Sequence, residues 1–544
     1  MSVRATLCLL SILFLVACPK PPEPPPEPQA RPQPAWKDSI LYFTFIDRFA
    51  NGDPSNDAPV GAPAVAATDF QGGDWAGVRQ KLKEGYFEDL GVNTLWLSTP
   101  LDNPSKMHGD AQEIHWYTAY HAYWPERLDQ PEEHFGTLED LKGLVDAAHF
   151  RGMNVIIDYP INHVYIDSPV YKEHPEWFWP LEQTYNGQTK KCLCGQACSW
   201  EDPTESKRCW FTEYLPDYNF TVKAARDATI DNVISWVRKT GVDGLRLDAL
   251  KHVEDAFILE LRQRLKQDID PHRSQPFLLL GETFSGDREL LRYYVDPQRM
   301  LDGQFDFALR SSILGTVMMR SRRWQDMSYP SSMRELDGFL QTNENYYGEG
   351  IMSTFLGNHD LPRTIHFGED RPRWGVEWDL GFDQAWTSPP ALPSGNSAFE
   401  RLANGFTVLF TLPGIPLIYY GDEIGMPGAG DPDNRRMMDF DAGNYTEGQR
   451  LLREHVRKLT HLRQAHPALR RGQRLSLSVT DDTLAYQMQH AQGSVYVLIN
   501  RADVANPVSG LPAGNFEDLL TQQQVTGPQV QLPPRSSMIL VAKP

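Results

Sequence analysis

The feature that most constrains this chain is a series of short apolar runs, most of them separated by segments with helical periodicity. Each run is six or seven residues long and apolar almost throughout, which is typical of a strand buried on both faces. Strands that alternate with helices pair in parallel, and eight of them close into a barrel. We therefore predict an α/β fold, a (β/α)8 TIM barrel, with strands near residues 40–45, 92–98, 153–159, 243–249, 276–282, 304–309, 351–357 and 415–421.

Two stretches depart from this alternation. A long connection follows the third run, and residues 164–221 are predicted to form an inserted domain B. From residue 462 to residue 544, short alternating runs replace the helical patterns and predict an antiparallel β-sandwich, domain C. The catalytic barrel, domain A, is then residues 36–163 and 222–461. One of its helices is expected to begin after Thr137 and to bury a single stripe, which consists of Leu138, Leu141, Leu144, Val145 and Ala148.

The N-terminal segment has the pattern of an export signal. Arg4 precedes an apolar run, residues 7–17, that is too short to span a bilayer as a helix. Residues 15–18 resemble a bacterial lipobox, in which Cys18 is lipidated after cleavage, and an ordinary secretory signal is the alternative. Residues 19–35 form a Pro-rich linker, either a polyproline II stalk or a disordered leader. The sequence thus predicts an exported protein, secreted or lipid-anchored to the bacterial cell envelope, whose only link to a membrane is this anchor.

Four of the six cysteines lie close together in the predicted inserted domain. Cys192, Cys194, Cys198 and Cys209 have a spacing that could ligate zinc. In an exported protein, however, disulfides are the more usual state of such a cluster. We predict two disulfides, and the sequence leaves three pairings open.

The composition limits the classes of partner. The formal net charge is −19, so no basic field attracts phosphate backbones, and we expect no binding to nucleic acid. A neutral substrate is easier to reconcile with this charge. The 14 Trp residues are enough to supply stacking platforms for sugar rings, although most aromatic side chains in a protein of this size belong to the core.

Acidic side chains stand where several predicted strands end. Catalytic residues of (β/α)8 barrels project from these ends. Asp248 closes the fourth run, Glu282 closes the fifth, and Asp360 follows the seventh. Glycoside hydrolysis needs one ionised and one protonated carboxyl group, and acids from adjacent strands could lie at the roughly 5 Å that a retaining mechanism requires. For any single acid, a helix N-cap is the alternative explanation.

The motifs around these acids carry a resemblance. DYPINH (158–163), LPDYN (215–219), GLRLDALKH (244–252), GETF (281–284) and FLGNHD (355–360) resemble the alpha-amylase family of glycoside hydrolases, in the family's order, and the likeness extends over residues 36–544. The resemblance implies that Asp248 is the nucleophile, Glu282 the general acid/base and Asp360 the third carboxylate. It also implies a set of substrate-binding residues, with the last two toward the leaving group: Tyr123, His163, Arg246, His359, Lys251 and His252.

Calcium follows from the same resemblance. Asn162, Asp217 and the backbone carbonyl of His252 match the family's site between barrel and inserted domain, and oxygen ligands suit this ion. A second set resembles the N-terminal calcium site of cyclodextrin glucanotransferases, although an acidic loop is the alternative. Its members are Asn51, Asp53, Asn56, Asp57, Gly72 and Asp74.

Three functions are compatible with these residues. The first is retaining hydrolysis of α-1,4-glucosidic bonds in starch-like glucans or maltooligosaccharides. The second is transglycosylation, or action on cyclodextrins or pullulan, because residues 414–438 resemble oligosaccharide-acting members such as cyclomaltodextrinases. The third is glucan binding without catalysis, which the retention of all three carboxylates disfavours.

Overall fold

A computed structural model describes residues 30–110, 113–185, 187–319, 321–324, 327–369, 374 and 377–543. The predicted signal peptide and lipobox, residues 1–18, lie outside the described residues, as does most of the Pro-rich linker. Both stay predictions. Among the described helices, none is both long enough and apolar enough to cross a membrane.

The predicted barrel is confirmed. Eight strands pair in parallel in one sheet, and the ladder is closed by a bridge between Phe305 and Ser353. The strands are β1 (Leu41–Thr44), β2 (Thr94–Leu97), β3 (Asn154–Pro160), β4 (Gly244–Asp248), β5 (Leu278–Gly281), β6 (Gly303–Gln304), β7 (Ser353–Thr354) and β8 (Ile415–Tyr419). Every predicted run overlaps one of them, although β6 shares only Gln304 with its run. Because the strands are parallel, all their carboxyl ends meet at one face of the barrel.

The sixth run is where the prediction was partly wrong. The strand in this run ends at Gln304, and residues 307–309 begin the helix Phe307–Ile313. Asp306 explains the switch, since its carboxylate accepts a hydrogen bond from the Leu309 backbone N–H and so caps the helix. An apolar run alone does not distinguish a strand from the first turn of a buried helix.

Helices surround the barrel. The helix predicted after Thr137 is confirmed as Leu138–Phe150: Thr137 and Asp140 form a capping box, and Leu141, Leu144, Val145 and Ala148 are buried. The other longer helices are Trp75–Lys83, Lys223–Thr240, Asp255–Asp268, Arg288–Tyr294, Phe307–Ile313, Met333–Asn343, Phe382–Thr387, Ser397–Thr411 and Glu447–Ala465. Short helices span Ile46–Phe49, Tyr86–Asp89, Pro169–Glu173 and Ala468–Arg471.

The segment between β3 and the helix Lys223–Thr240 contains little regular structure. It includes one hairpin, Glu182–Tyr185 paired with Gln188–Lys191. Two disulfides close its loops, Cys192–Cys198 and Cys194–Cys209, and all four sulfur-bearing side chains are buried. The predicted disulfides are therefore confirmed, and the zinc alternative is excluded because no free thiolate remains in the cluster.

The C-terminal region is antiparallel, as predicted. Its strands are β9 (Gln473–Val479), β10 (Thr483–His490), β11 (Gly493–Asn500), β12 (Asn506–Ser509), β13 (Asn515–Asp518), β14 (Gln524–Thr526), β15 (Gln529–Leu532) and β16 (Ser536–Ala542). Six form a sheet in the order β9-β10-β11-β16-β13-β14, and β12 pairs with β15. The boundary expected at 461/462 falls inside the helix Glu447–Ala465, and the first strand of the C-terminal region begins at Gln473.

Candidate active site

The predicted acids converge at the carboxyl ends of the barrel strands. Asp158 lies in β3, Asp248 ends β4, Glu282 directly follows β5, and Asp360 lies shortly after β7. The barrel beneath them is filled by aromatic rings, with Phe43 stacked on Trp96 at 3.7 Å between centroids. The acids therefore stand on a buried apolar floor, where water screens their charges poorly.

One arginine connects the acids. Arg246 is buried, and its Nη1 donates to Asp158 Oδ1 at 2.9 Å and to Asp248 Oδ1 at 2.5 Å, while its Nη2 lies 3.7 Å from Glu282 Oε2. Burial opposes the charged guanidinium, but Asp158 and Asp248 outweigh it and raise the pKa of Arg246. Asp248 and Glu282 are thereby held on one cation from two adjacent strands.

The two catalytic candidates sit in different environments. The Glu282 side chain is 9% exposed, lies 3.7 Å from Arg246 and accepts a hydrogen bond from the Ala249 backbone N–H at 3.3 Å, whereas Asp248 forms the short ion pair. Burial, reinforced by the charges of Asp248 and Asp360 and opposed by Arg246, raises the pKa of Glu282 to about 8. Glu282 is therefore protonated at neutral pH and can donate a proton, beside an aspartate that is paired with a cation.

Asp360 is the most open of the three acids. Its side chain is 37% exposed, its Oδ2 lies 3.4 Å from His359 Nε2, and its Oδ1 accepts from Arg435 Nη2 at 3.4 Å. Its backbone N–H donates to Asn358 Oδ1. The carboxylate thus faces the cleft and can accept hydrogen bonds from a ligand's hydroxyl groups.

Tyr123, His163 and His359 form the wall beside the acids, as predicted. Tyr123 OH donates to Asp158 Oδ2 at 2.6 Å, and the Tyr123 ring stacks on His359 at 5.2 Å. His163 Nε2 donates to the Tyr123 carbonyl at 2.9 Å. Burial lowers the pKa of both histidines, so neutral imidazoles line this wall. They suit a ligand whose polar groups are uncharged hydroxyls.

Two residues predicted to bind substrate lie toward the inserted segment instead. The imidazole of His252 is buried, donates through Nδ1 to the Ser206 carbonyl at 2.7 Å and packs against Trp200 and Phe211. Its ring therefore packs against the inserted segment, and its contact with substrate stays a prediction. Lys251 extends toward Glu201, with 3.3 Å between Nζ and Oε1.

Arg435 was not among the predicted site residues. Its side chain is 6% exposed and reaches three groups of the site: Asp360, the His359 carbonyl at 3.0 Å from Nε, and Asp431 at 3.0 Å from Nη1. Tyr120 OH also donates to Asp431, at 3.1 Å. Arg435 lies in residues 414–438, the run already noted for its likeness to oligosaccharide-acting relatives. Nothing in that run indicated that Arg435 lies beside Asp360.

The first predicted calcium site brings its members together. Asn162 Nδ2 donates to Asp217 Oδ1 and lies 3.3 Å from the His252 carbonyl oxygen. Asp217 is buried, and its Oδ2 has no hydrogen-bond partner among the described residues. An amide's nitrogen and oxygen occupy nearly equivalent positions, so rotation of Asn162 by half a turn brings three oxygen atoms together. The donor set fits a hard cation.

The second predicted calcium site is more mixed. Asn51 Nδ2 donates to Asp57 Oδ2 at 2.7 Å beside Gly72, and Asn56 Oδ1 is buried without a partner among the described residues. Asp74 differs, because its carboxylate caps the helix Trp75–Lys83 and accepts from the backbone N–H groups of residues 52, 53 and 77. Asp53 accepts from Ser55. The Asp74 carboxylate is therefore used as a helix N-cap, a role that the acidic-loop alternative did not name.

The arrangement matches a known family. The family model described as "Alpha amylase, catalytic domain" matches residues 43–379, more than half of the chain. The chain belongs to the alpha-amylase family. The three predicted acids, Asp248, Glu282 and Asp360, all lie within the matched residues of this family member.

Individual relatives of this alpha-amylase family member are distant. A curated cyclomaltodextrin glucanotransferase from Geobacillus stearothermophilus is 28% identical over 505 residues, which is 88% of this chain and 62% of the relative. The chain thus spans about three fifths of that relative's length. The alpha-amylase of Geobacillus thermoleovorans, solved in complex with acarbose, is 28% identical, with a TM-score of 0.73, and covers 94% of this chain and 100% of its own. An Anoxybacillus alpha-amylase is also 28% identical, with a TM-score of 0.74, and the match covers 94% of this chain and 100% of the other.

Proposed function

We propose that this protein hydrolyses α-1,4-glucosidic bonds of starch-like glucans or maltooligosaccharides with retention of configuration. One observation carries the proposal: Arg246 holds two acids from adjacent strands, one in a short ion pair and the other, Glu282, in a setting that keeps it protonated. This difference is what a double displacement requires of its two carboxyl groups. Soluble starch as substrate, with chromatography of the products, tests the proposal.

The mechanism assigns one role to each acid. Glu282 gives its proton to the glycosidic oxygen as the Asp248 carboxylate attacks the anomeric carbon, so the C–O bond to the leaving group breaks and a glycosyl ester forms. Glu282, now ionised, takes a proton from water, and the hydroxide replaces Asp248 at the same carbon. Asp360 accepts hydrogen bonds from the sugar's hydroxyl groups and favours its distortion.

The state of Glu282 predicts the alkaline limb of the pH profile. Its raised pKa of about 8 means that the catalytic proton is present below this pH and is lost as pH rises through it. We expect kcat/KM on maltoheptaose to fall by about tenfold per pH unit above pH 8. Initial rates between pH 5 and about pH 10, with the thermal stability checked at each pH, measure it. If kcat/KM already begins its alkaline fall below pH 6, the assignment of this fall to Glu282 is contradicted.

We propose that calcium binds where Asn162, Asp217 and the His252 carbonyl meet. Burial, with the nearby charge of Glu254, raises the pKa of Asp217 well above its usual value, because no cation faces it among the described groups. A calcium ion would supply that positive charge and link β3 to the inserted segment. The second set of residues, around Asn51 and Asp57, stays a prediction.

Calcium removal should therefore lower stability. We expect the Tm of the protein without its predicted signal peptide and Pro-rich linker to fall by several degrees when EDTA replaces calcium. A ligand at 100 times its Kd stabilises the folded state by about 2.7 kcal/mol. Asp217→Asn should abolish most of this response, and Asp57→Asn should leave most of it. Scanning fluorimetry of the three proteins measures it. A Tm that is independent of calcium in the parent contradicts the proposal.

Transglycosylation is the second candidate, and the curated cyclomaltodextrin glucanotransferases favour it. The same residues form the glycosyl ester in both reactions, and only the acceptor differs. Linear maltooligosaccharides that accumulate from starch support hydrolysis. Cyclic or elongated products from maltoheptaose move the assignment to glycosyl transfer.

A further inference from the structure

The chain enters the barrel at the face opposite the acids. Residues 31–36 pass the ends at which β3, β4 and β5 begin. Because the strands are parallel, these beginnings lie at the amino-terminal face of the barrel, whereas the three catalytic acids stand at the carboxyl-terminal face. The two faces lie far apart, since Lys223–Thr240, a helix of 18 residues that runs beside the barrel, is about 27 Å long.

Backbone contacts hold this segment to the amino-terminal face. The Arg31 backbone N–H donates to the Phe150 carbonyl at 3.2 Å, where the helix before β3 ends. Asn154 Nδ2, at the start of β3, donates to the Pro34 carbonyl at 3.0 Å. Gly152 leaves room for the crossing, because a Cβ atom there would lie 2.8 Å from Arg31 Cβ. The position of the chain relative to the barrel is therefore fixed from Arg31 onward.

Two side chains of the segment reach into the same face. Gln33 Nε2 donates at 3.2 Å to Asp243 Oδ2, just before β4, and this buried carboxylate also lies 2.8 Å from His149 Nε2. Trp36 is 7% exposed, and its Nε1 donates at 2.9 Å to the Pro276 carbonyl, just before β5. Buried polar groups depend on such partners, so the segment is part of the folded body rather than of a free linker.

We propose that the anchored protein is held by the amino-terminal face of its barrel, so that this face lies toward the lipid surface and the catalytic acids face away from it. The proposal rests on the predicted lipid anchor at Cys18, which lies outside the described residues. It does not depend on which reaction the acids catalyse. The membrane-facing surface is then the one that residues 31–36 cross.

The length of the linker makes the opposite orientation unfavourable. Residues 19–29 separate Cys18 from Ala30, and these 11 residues reach at most about 40 Å when fully extended. To bring the cleft against the lipid, the linker would have to run back along the barrel for about 27 Å, which needs most of that reach. A chain held near full extension loses conformational entropy, so the amino-terminal face stays nearer to the lipid. The cleft is then open to a polymer that approaches from solution.

Energy transfer from a label on the protein to the lipid tests the orientation. The full chain, processed in a bacterial host, is reconstituted in phosphatidylcholine vesicles that contain an acceptor-labelled lipid. Two variants carry one donor label each: Lys37→Cys, exposed at the amino-terminal face, and Ile114→Cys, at a 68% exposed position in the connection after β2. The clustered cysteines do not take the label, because all four are disulfide-bonded. We expect about threefold higher transfer from Lys37→Cys, since the other label stands about 27 Å farther from the lipid.

Two matched changes separate the tether from the orientation. Inserting about 20 Gly and Ser residues between Gln29 and Ala30 should remove most of the difference between the labels, because a long flexible linker lets the protein rotate. Cys18→Ser should abolish transfer from both labels. Equal transfer from the two labels, or stronger transfer from Ile114→Cys, overturns the orientation. A processed protein that carries no lipid on Cys18, as measured by mass spectrometry, overturns the proposal at its anchor. No outcome depends on turnover of a glucan, so failure of the proposed reaction is detected separately.

Discussion

Asp248→Asn is expected to lower kcat on soluble starch by about 10⁴-fold or more, with little change in Tm. The amide keeps the size of the side chain but cannot form the glycosyl ester, and loss of a nucleophile removes nearly all of an enzyme's covalent catalysis. Asp248 is paired with Arg246 at 2.5 Å, but an asparagine oxygen can still accept this hydrogen bond and Asp158 keeps its ion pair with Arg246, so the fold should be retained. Product release from starch, followed by reducing-end assay and chromatography, measures the effect.

A matched aspartate shows whether the effect belongs to the site. Asp231 lies on the helix Lys223–Thr240 with a 64% exposed side chain in an ion pair with Arg264, and Asp231→Asn should retain the parent's kcat. An Asp248→Asn protein that is folded and keeps more than a few per cent of the parent's rate contradicts the nucleophile assignment. If no parent activity is found on starch, pullulan or cyclodextrin, glucan binding without catalysis becomes the better account.

Glu282→Gln is expected to lower kcat on starch by about 10²- to 10⁴-fold, the usual contribution of general acid–base catalysis. The loss should depend on the leaving group. A maltosyl donor whose leaving group departs without protonation, such as a maltosyl fluoride, needs no acid in the first step, so its glycosyl ester should form at near the parent's rate. Asp248→Asn should be inactive toward both donors.

The pH profile gives an independent check on Glu282. Because the alkaline limb near pH 8 is assigned to this carboxyl group, Glu282→Gln should lack that limb in its residual activity on starch. Persistence of the limb in the variant assigns the titration to another group. Equal losses with both donors contradict the acid role and indicate that Glu282 positions the substrate instead.

The sequence was sufficient to predict the barrel because each strand is a continuous apolar run with a distinct end. The acids at those ends were predictable for the same reason, because parallel strands bring their carboxyl ends to one face of the barrel independently of the loop conformations. Thr137 and its helix were predictable from local capping chemistry, which depends on four adjacent residues only. These features depend on short-range patterns.

The features that were not predictable from the sequence depend on contacts between distant residues. Arg435 follows Asp360 by 75 positions, and only the fold brings the two side chains together. The disulfide pairing of the four clustered cysteines depends on how one loop crosses another. The ring of His252 turned out to pack under Trp200 because the inserted segment covers that side of the barrel, and no local pattern records which segment covers a side chain.

The most direct test of the central claim is the anomeric configuration of the newly formed reducing end. Proton NMR during rapid hydrolysis of maltoheptaose distinguishes the α-anomer from the β-anomer before mutarotation mixes them. Because Arg246 holds Asp248 and Glu282 from adjacent strands, we predict the two displacements of a retaining enzyme, and the α-anomer should appear first. A first product in the β-configuration means a single displacement by water and contradicts the account.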